Sequence, residues 1–193
     1  MLGLKLLTDP RWANIAESNL EEILTDHCWC EQKAATNAIT IIAYNSEHED
    51  LVTELTDIAI EEMEHFKMVH EIIKQRGYTL GRERKDDYVN RLYKFMKKDG
   101  SRNDAFIDRL LFAAMIEARS CERFRVLSQN IDDEELKKFY YDLMVSEANH
   151  YTIFLKYARK YTEKVDVDQR WNEWLEFEGE LIQSYGTKEH IHG

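Results

Sequence analysis

Three times in this chain a glutamate is followed three residues later by a histidine: Glu62 and His65 in "EMEH", Glu147 and His150 in "SEANHY", and Glu189 and His192 in "EHIH". On a helix, that spacing puts a carboxylate and an imidazole on one face, where together they can ligate a transition metal. With 23 glutamates and 7 histidines among 193 residues, chance supplies about one such match, so the spacing means little without its surroundings.

Phase separates the three. Between 49 and 76, steps of four and three select Leu51, Leu55, Ile58, Glu62, His65, Val69 and Ile72; between 132 and 161 they select Leu136, Tyr140, Leu143, Glu147, His150, Phe154 and Tyr157. Both pairs therefore sit on the apolar stripe of an amphipathic helix. The match at Glu189 follows Gly186, beyond the last helical pattern, and reads as chance. Two further stretches keep the same rhythm with one carboxylate each: Leu20, Leu24, His27, Glu31, Ala34, Ala38 and Ile41, then Phe106, Leu110, Ala113, Glu117, Ser120, Phe124 and Leu127. The chain thus reads as two similar helix pairs. Each has a lone glutamate on its first helix and Glu-x-x-His on its second.

The elements that must position these residues follow from composition. One proline and seven glycines, with abundant Glu, Leu, Lys and Ala, point to long helices and few tight turns. Helical blocks are predicted over 17–45, 49–76, 83–98, 104–128, 132–161 and 169–184, with Asp104 and Asp132 as N-caps. The expected fold is all-α: a four-helix bundle with an additional connecting helix and a C-terminal helix, in one domain spanning 1–193.

Four carboxylates on buried stripes need a cation. An unpaired ionised carboxylate in an apolar interior costs several kcal/mol, and four together repel one another. Four glutamates and two imidazoles suit two borderline first-row metals, and thiolate ligands are absent from the set. One glutamate from each of two helices plus Glu-x-x-His from two others is the donor pattern of di-iron or di-manganese carboxylate bundles.

Neighbouring residues receive plainer readings. His27, one turn from Glu31, is expected to support that carboxylate or to be a satisfied core histidine. Glu64 and Glu122 fall on other faces and are expected in solvent or one step behind the ligands. Trp12, Trp29, Trp171 and Trp174 are packing residues, and Cys28, Cys30 and Cys121 are reduced thiols outside any zinc or disulfide pattern. The small residues Ala34, Ala35, Ala38, Ala113, Ala114, Ala118 and Ser120 flank the lone glutamates, either for close helix contact or to leave room for oxygen and a slim apolar group.

The segments "CEQKAA", "EEMEHFKMV", "IEARSCERF" and "SEANHYTIF", with the opening "LLTDPRW", resemble the MiaE family, the tRNA 2-methylthio-N6-isopentenyl-adenosine hydroxylases of the ferritin-like fold. The likeness covers nearly the whole chain. It implies a non-haem di-iron monooxygenase that hydroxylates the isopentenyl side chain of a hypermodified adenosine beside the anticodon, using O2 and electrons from an external reductase. The ligands it implies are Glu31, Glu62, His65, Glu117, Glu147 and His150, the six already selected by periodicity.

A tRNA substrate gives meaning to the charge distribution. The formal net charge is −11, yet Arg82 to Arg102 holds eight basic residues against four acids, a local +4 that leaves the remainder at −15. Such a run is either a solvated connecting segment or an electropositive face for a polyanion. As the second, it offers Arg82, Arg84, Lys85, Arg91, Lys94, Lys97 and Lys98 as tRNA contacts, with Tyr78, Tyr88 and Tyr93 either stacking on bases or, equally, packing residues. No apolar run reaches the roughly 20 residues of a membrane span, and a cytoplasmic location is expected. The alternatives are a ferritin-like iron store, which needs a closed cage, and a rubrerythrin-like peroxidase, which usually carries a Cys-based module missing from this sequence.

Overall fold

The computed structural model describes residues 2–185, and among these it contains helices and no strand. In order they are α1 (Trp12–Ser18), α2 (Leu20–Tyr44), α3 (Glu49–Gln75), α4 (Asp87–Phe95), α5 (Arg102–Asn130), α6 (Glu134–Tyr161) and α7 (Val167–Tyr185). The described residues divide into two compact units, one running from Ser18 to Lys85, the other joining residues 2–17 to residues 86–185. The tail pair Glu189 and His192 lies outside the described residues.

The Ser18–Lys85 unit is a helical hairpin. Leu24, Ala35, Ala38 and Ile41 of α2 and Leu51, Leu55, Ile58 and Val69 of α3 are buried, so two stripes of matching length zip together across a four-residue connection. Asn45 closes α2, its Nδ2 donating to the carbonyl of Ile41 at 2.8 Å. α3 ends at Gly77, whose φ of +72° lets the chain reverse and the Tyr78 amide reach the Ile73 carbonyl at 3.0 Å. The returning segment lies along α2: Trp29 Nε1 donates to the Gly81 carbonyl at 2.9 Å, and Arg84 pairs with Glu22 at 2.9 Å. These ties hold residues 83–86 out of the predicted helix. α4 begins only at Asp87, capped by Asp86, whose side chain accepts from the Val89 amide.

The other unit is organised on the α5–α6 hairpin, against which α4 and α7 pack. The N-caps fall elsewhere than predicted. Ser101 caps α5, and Asp104 sits three residues in, completing a reciprocal capping box; Asp133 rather than Asp132 caps α6. Gly100 makes the first of these possible: its φ is +130°, and a Cβ there would stand 2.7 Å from Asp104 Oδ2. Ser101→Ala removes one arm of the box and should cost about 1 kcal/mol, lowering the melting midpoint by about 2–4 °C; calorimetry of the variant checks this. α1, a single short helix that the predicted block starting at 17 had missed, is held by Arg123, whose guanidinium stacks 4.2 Å above the Trp12 ring.

Two buried ion clusters fasten this unit. Arg170 of α7 bonds Asp108 of α5 through Nε at 2.7 Å and Nη2 at 2.9 Å, and Trp174 Nε1 donates to the same carboxylate at 3.2 Å. Arg119 of α5 reaches Glu178 of α7 at 2.6 Å, Glu122 at 3.1 Å and the Leu6 carbonyl at 2.9 Å. Glu122 also accepts from the Thr8 amide at 3.1 Å. Of the two places expected for Glu122, solvent is ruled out: it is 5% exposed and ties the N-terminal segment to α5.

Candidate metal centre

In the hairpin unit, Glu31 is contributed by α2 and Glu62 and His65 by α3, all buried. Each offers a ligand atom lying within 4.8 Å of the others. The His65 Nδ1 is 3.5 Å from Glu62 Oε2, while Glu61 approaches the opposite ring nitrogen at 3.8 Å. Behind Glu31 stands His27, fully buried, with Nε2 at 2.5 Å from Glu31 Oε1. That is the supporting role expected for His27: a ring nitrogen orients the carboxylate so that its remaining lone pairs face the other donors.

The other unit builds a triad of the same composition. Glu117 comes from α5, Glu147 and His150 from α6, with exposures of 4%, 2% and 0%. Their ligand atoms also lie within 4.8 Å of one another. The local sequences explain the placement. Steps of three and four keep Leu143, Glu147, His150 and Phe154 on one buried stripe, as they keep Ile58, Glu62, His65 and Val69 on the other.

Each triad tests whether metal fits. Two carboxylates and an imidazole, nearly free of solvent and a few ångströms apart, form a hard-to-borderline O2N donor set that suits Fe, Mn or Zn. Without a cation, two adjacent buried carboxylates would repel each other in a medium that screens them poorly. The cysteines do not compete for metal: burial together with nearby Glu31 pushes the Cys28 thiol up to about 12, and burial with Glu122 nearby pushes Cys121 to about 11. Neither is a thiolate at neutral pH.

The predicted tRNA contacts divide by exposure. Arg82, Lys85, Lys94, Lys97 and Lys98 are exposed. Arg84 and Arg91 are half-buried and engaged, Arg84 with Glu22 and Arg91 with Ser184 Oγ at 3.1 Å. Lys97 Nζ lies 3.5 Å from Glu173. Among the tyrosines, Tyr93 is exposed, whereas Tyr88 is buried and its hydroxyl donates to Glu178 at 3.1 Å. Tyr88 is a core residue and cannot stack on a base, which is the packing alternative of the two readings. Arg119, Asp108, Arg170 and Glu178 were missed. A charged residue amid apolar neighbours on α5 was the available signal, but stripe-counting discards residues off the chosen face.

Comparison with known proteins gives a consistent picture. A family model described as tRNA-(MS[2]IO[6]A)-hydroxylase (MiaE) matches residues 3–193. The chain is 37% identical over 177 residues to a tRNA 2-(methylsulfanyl)-N(6)-isopentenyladenosine(37) hydroxylase from Pseudomonas putida, covering 92% of this chain and 85% of that protein. It is 33% identical over 134 residues to the Salmonella typhimurium protein of the same name, covering 69% of this chain and 48% of the relative. Among solved structures, a Synechococcus protein with aldehyde deformylating oxygenase activity superposes with a TM-score of 0.89 at 29% identity, over 98% of this chain and 95% of that one. No helix among the described residues is long and apolar enough to cross a membrane.

Proposed function

The chain belongs to the MiaE family of tRNA hydroxylases, and we propose that it hydroxylates the isopentenyl side chain of a modified tRNA adenosine by di-iron chemistry. The ligands are Glu31, Glu62, His65, Glu117, Glu147 and His150. The observation that carries this reading is the pair of buried triads, alike in composition, in a chain whose length matches the family almost throughout.

Two iron ions held by these ligands would supply the oxidation of an allylic methyl C–H bond by O2. The balance is one C–H and one O2 converted to C–OH and water, with two electrons and two protons from outside, and the electrons come from a separate reductase. The chain's own part is to hold the ligands and keep bulk water away, as the near-zero exposure of the triads does. His27 keeps Glu31 oriented through its 2.5 Å contact. The exposed cations of the Arg82–Arg102 segment contact tRNA phosphates, and the protein works in the cytoplasm.

The test is direct. Iron-loaded protein supplied with a chemical or enzymatic reductant, O2 and tRNA bearing the isopentenylated adenosine should yield a nucleoside heavier by one oxygen atom, labelled when labelled O2 is used. Nucleoside mass spectrometry reads this. An unchanged nucleoside, with an aldehyde consumed instead in a parallel incubation, would move the assignment to the activity carried by the Synechococcus neighbour.

A further inference from the structure

Arg109 was assigned no role by the sequence pattern, and its surroundings ask for one. It lies on the α5 flank, half-buried, beside the end of α4. Its guanidinium carbon is 5.8 Å from the Tyr93 ring and 5.4 Å from the Phe112 ring. Among the described residues, its buried Nε meets no hydrogen-bond acceptor. Burial lowers its pKa, the mark of a cation that its neighbours do not fully compensate. Arg170 and Arg119 of the same unit have carboxylates on two sides, while Arg123, whose Nε likewise meets no acceptor among the described residues, is 4% exposed over the Trp12 ring and closed to a ligand.

The groups around Arg109 are those that recognise a nucleotide. Tyr93 is 44% exposed, and its edge-to-face contact with Phe112, at 6.1 Å and 83°, fixes the ring's orientation. Lys98 Nζ stands 4.8 Å from the same ring. Nearby acids are already committed: Asp108 to Arg170 and Trp174, and Asp104 to the Ser101 amide. Ring contacts account for where the guanidinium lies but leave its Nε unmet, and its planar fork matches a phosphate better than any neutral partner.

We propose that Arg109, Tyr93 and Lys98 form an anchoring site for one nucleotide of the substrate RNA, with Arg109 and Lys98 on a backbone phosphate and Tyr93 stacked on the adjoining base. Arg109 precedes Glu117 by two helical turns on α5, about 12 Å at 1.5 Å per residue. That is the scale of a nucleotide, so a residue anchored at Arg109 places its neighbour's modified base toward the Glu117 ligand. The inference rests on the tRNA hydroxylase activity proposed above.

The experiment uses iron-loaded full-length protein and a synthetic anticodon stem-loop carrying the isopentenylated adenosine. For Arg109→Gln with Lys98→Gln, RNA affinity should fall about 10- to 100-fold and the slope of log K against log salt should shrink by about 0.7, one phosphate charge's worth on single-stranded RNA. KM should rise in step, with kcat at saturating RNA and bound iron unchanged. Tyr93→Leu, which keeps both cations, should weaken binding about 5- to 100-fold with the salt slope intact, and it keeps the site testable if the arginine variant fails to fold. Unchanged affinity and slope in a folded double variant overturn the site. So does a variant that binds RNA normally and loses turnover only with a protein reductase, since the patch would then dock the reductase. Absence of hydroxylation by the unaltered protein instead strikes the proposed activity itself.

Discussion

Glu147→Ala should abolish turnover and reverse the effect of metal on stability. With iron bound, the variant loses a ligand that both charge and geometry require. Partners one step removed from a metal cost about 10–100-fold when mutated, and a carboxylate in the ligand set should cost more, leaving activity near background. Without metal, the sign changes. Glu147 and Glu117 are then two buried carboxylates with ligand atoms within 4.8 Å, and deleting one relieves repulsion that solvent does not screen. The metal-free variant should therefore melt at or above the temperature of the metal-free parent. The parent should gain about 2.7 kcal/mol when the ion is supplied at a hundred times its dissociation constant, and the variant should gain far less. Calorimetry with chelator and with anaerobic ferrous iron, alongside iron content and turnover, checks all three. Glu64→Ala, on an exposed position of α3, should behave as the parent throughout. Full activity in Glu147→Ala would sink the ligand assignment.

The sequence made the ligands easy to find and the supports hard. Glu62, His65, Glu147 and His150 could be selected because each is a polar residue on an otherwise apolar stripe, and a buried stripe is a periodic signal. The same logic placed Glu31, Glu117 and His27 among buried residues, and the structure keeps them there. It failed for Arg119, Glu122 and Arg123. α5 is buried on nearly every face, Arg119 included at 0% exposure, so no polar side remains to define a stripe. Charge there reads as solvent exposure from sequence, when it is in fact charge matched by partners more than 50 residues away, such as Glu178. Helix ends failed for a local reason. Asp104 and Asp132 are adjacent to, or reciprocal with, the true caps Ser101 and Asp133, and only the φ of Gly100 and the reach of each side chain choose between them. The segment 83–86 has helical composition but is strapped along α2 by Arg84, a long-range contact that propensity does not see.

Glu178→Ala should be the most damaging change outside the ligand set. Glu178 and Arg119 are both fully buried in their side chains and meet at 2.6 Å. Burial works against the Arg119 charge, but Glu178, Tyr88 and Glu122 together outweigh it, so the guanidinium stays charged with its pKa raised. Removing Glu178 leaves that charge in the core with Glu122, the Leu6 carbonyl and the Thr8 hydroxyl at 3.5 Å, and takes from the Tyr88 hydroxyl its carboxylate acceptor. Breaking a buried pair from one side costs about 3–5 kcal/mol, which corresponds to a melting midpoint lower by about 6–20 °C for a chain of this size. Replacing both partners, Arg119→Met with Glu178→Leu, should recover most of that loss, because two apolar groups leave no charge to solvate. Arg119 is two residues from Glu117 on α5, so the single variant should also bind metal more weakly, while the double variant, with α5 packed again, should bind it nearly as the parent does. Thermal melts and iron titrations of both variants decide the matter. A single variant that melts within about 2 °C of the parent would show that the pair is not what fastens α7 to α5.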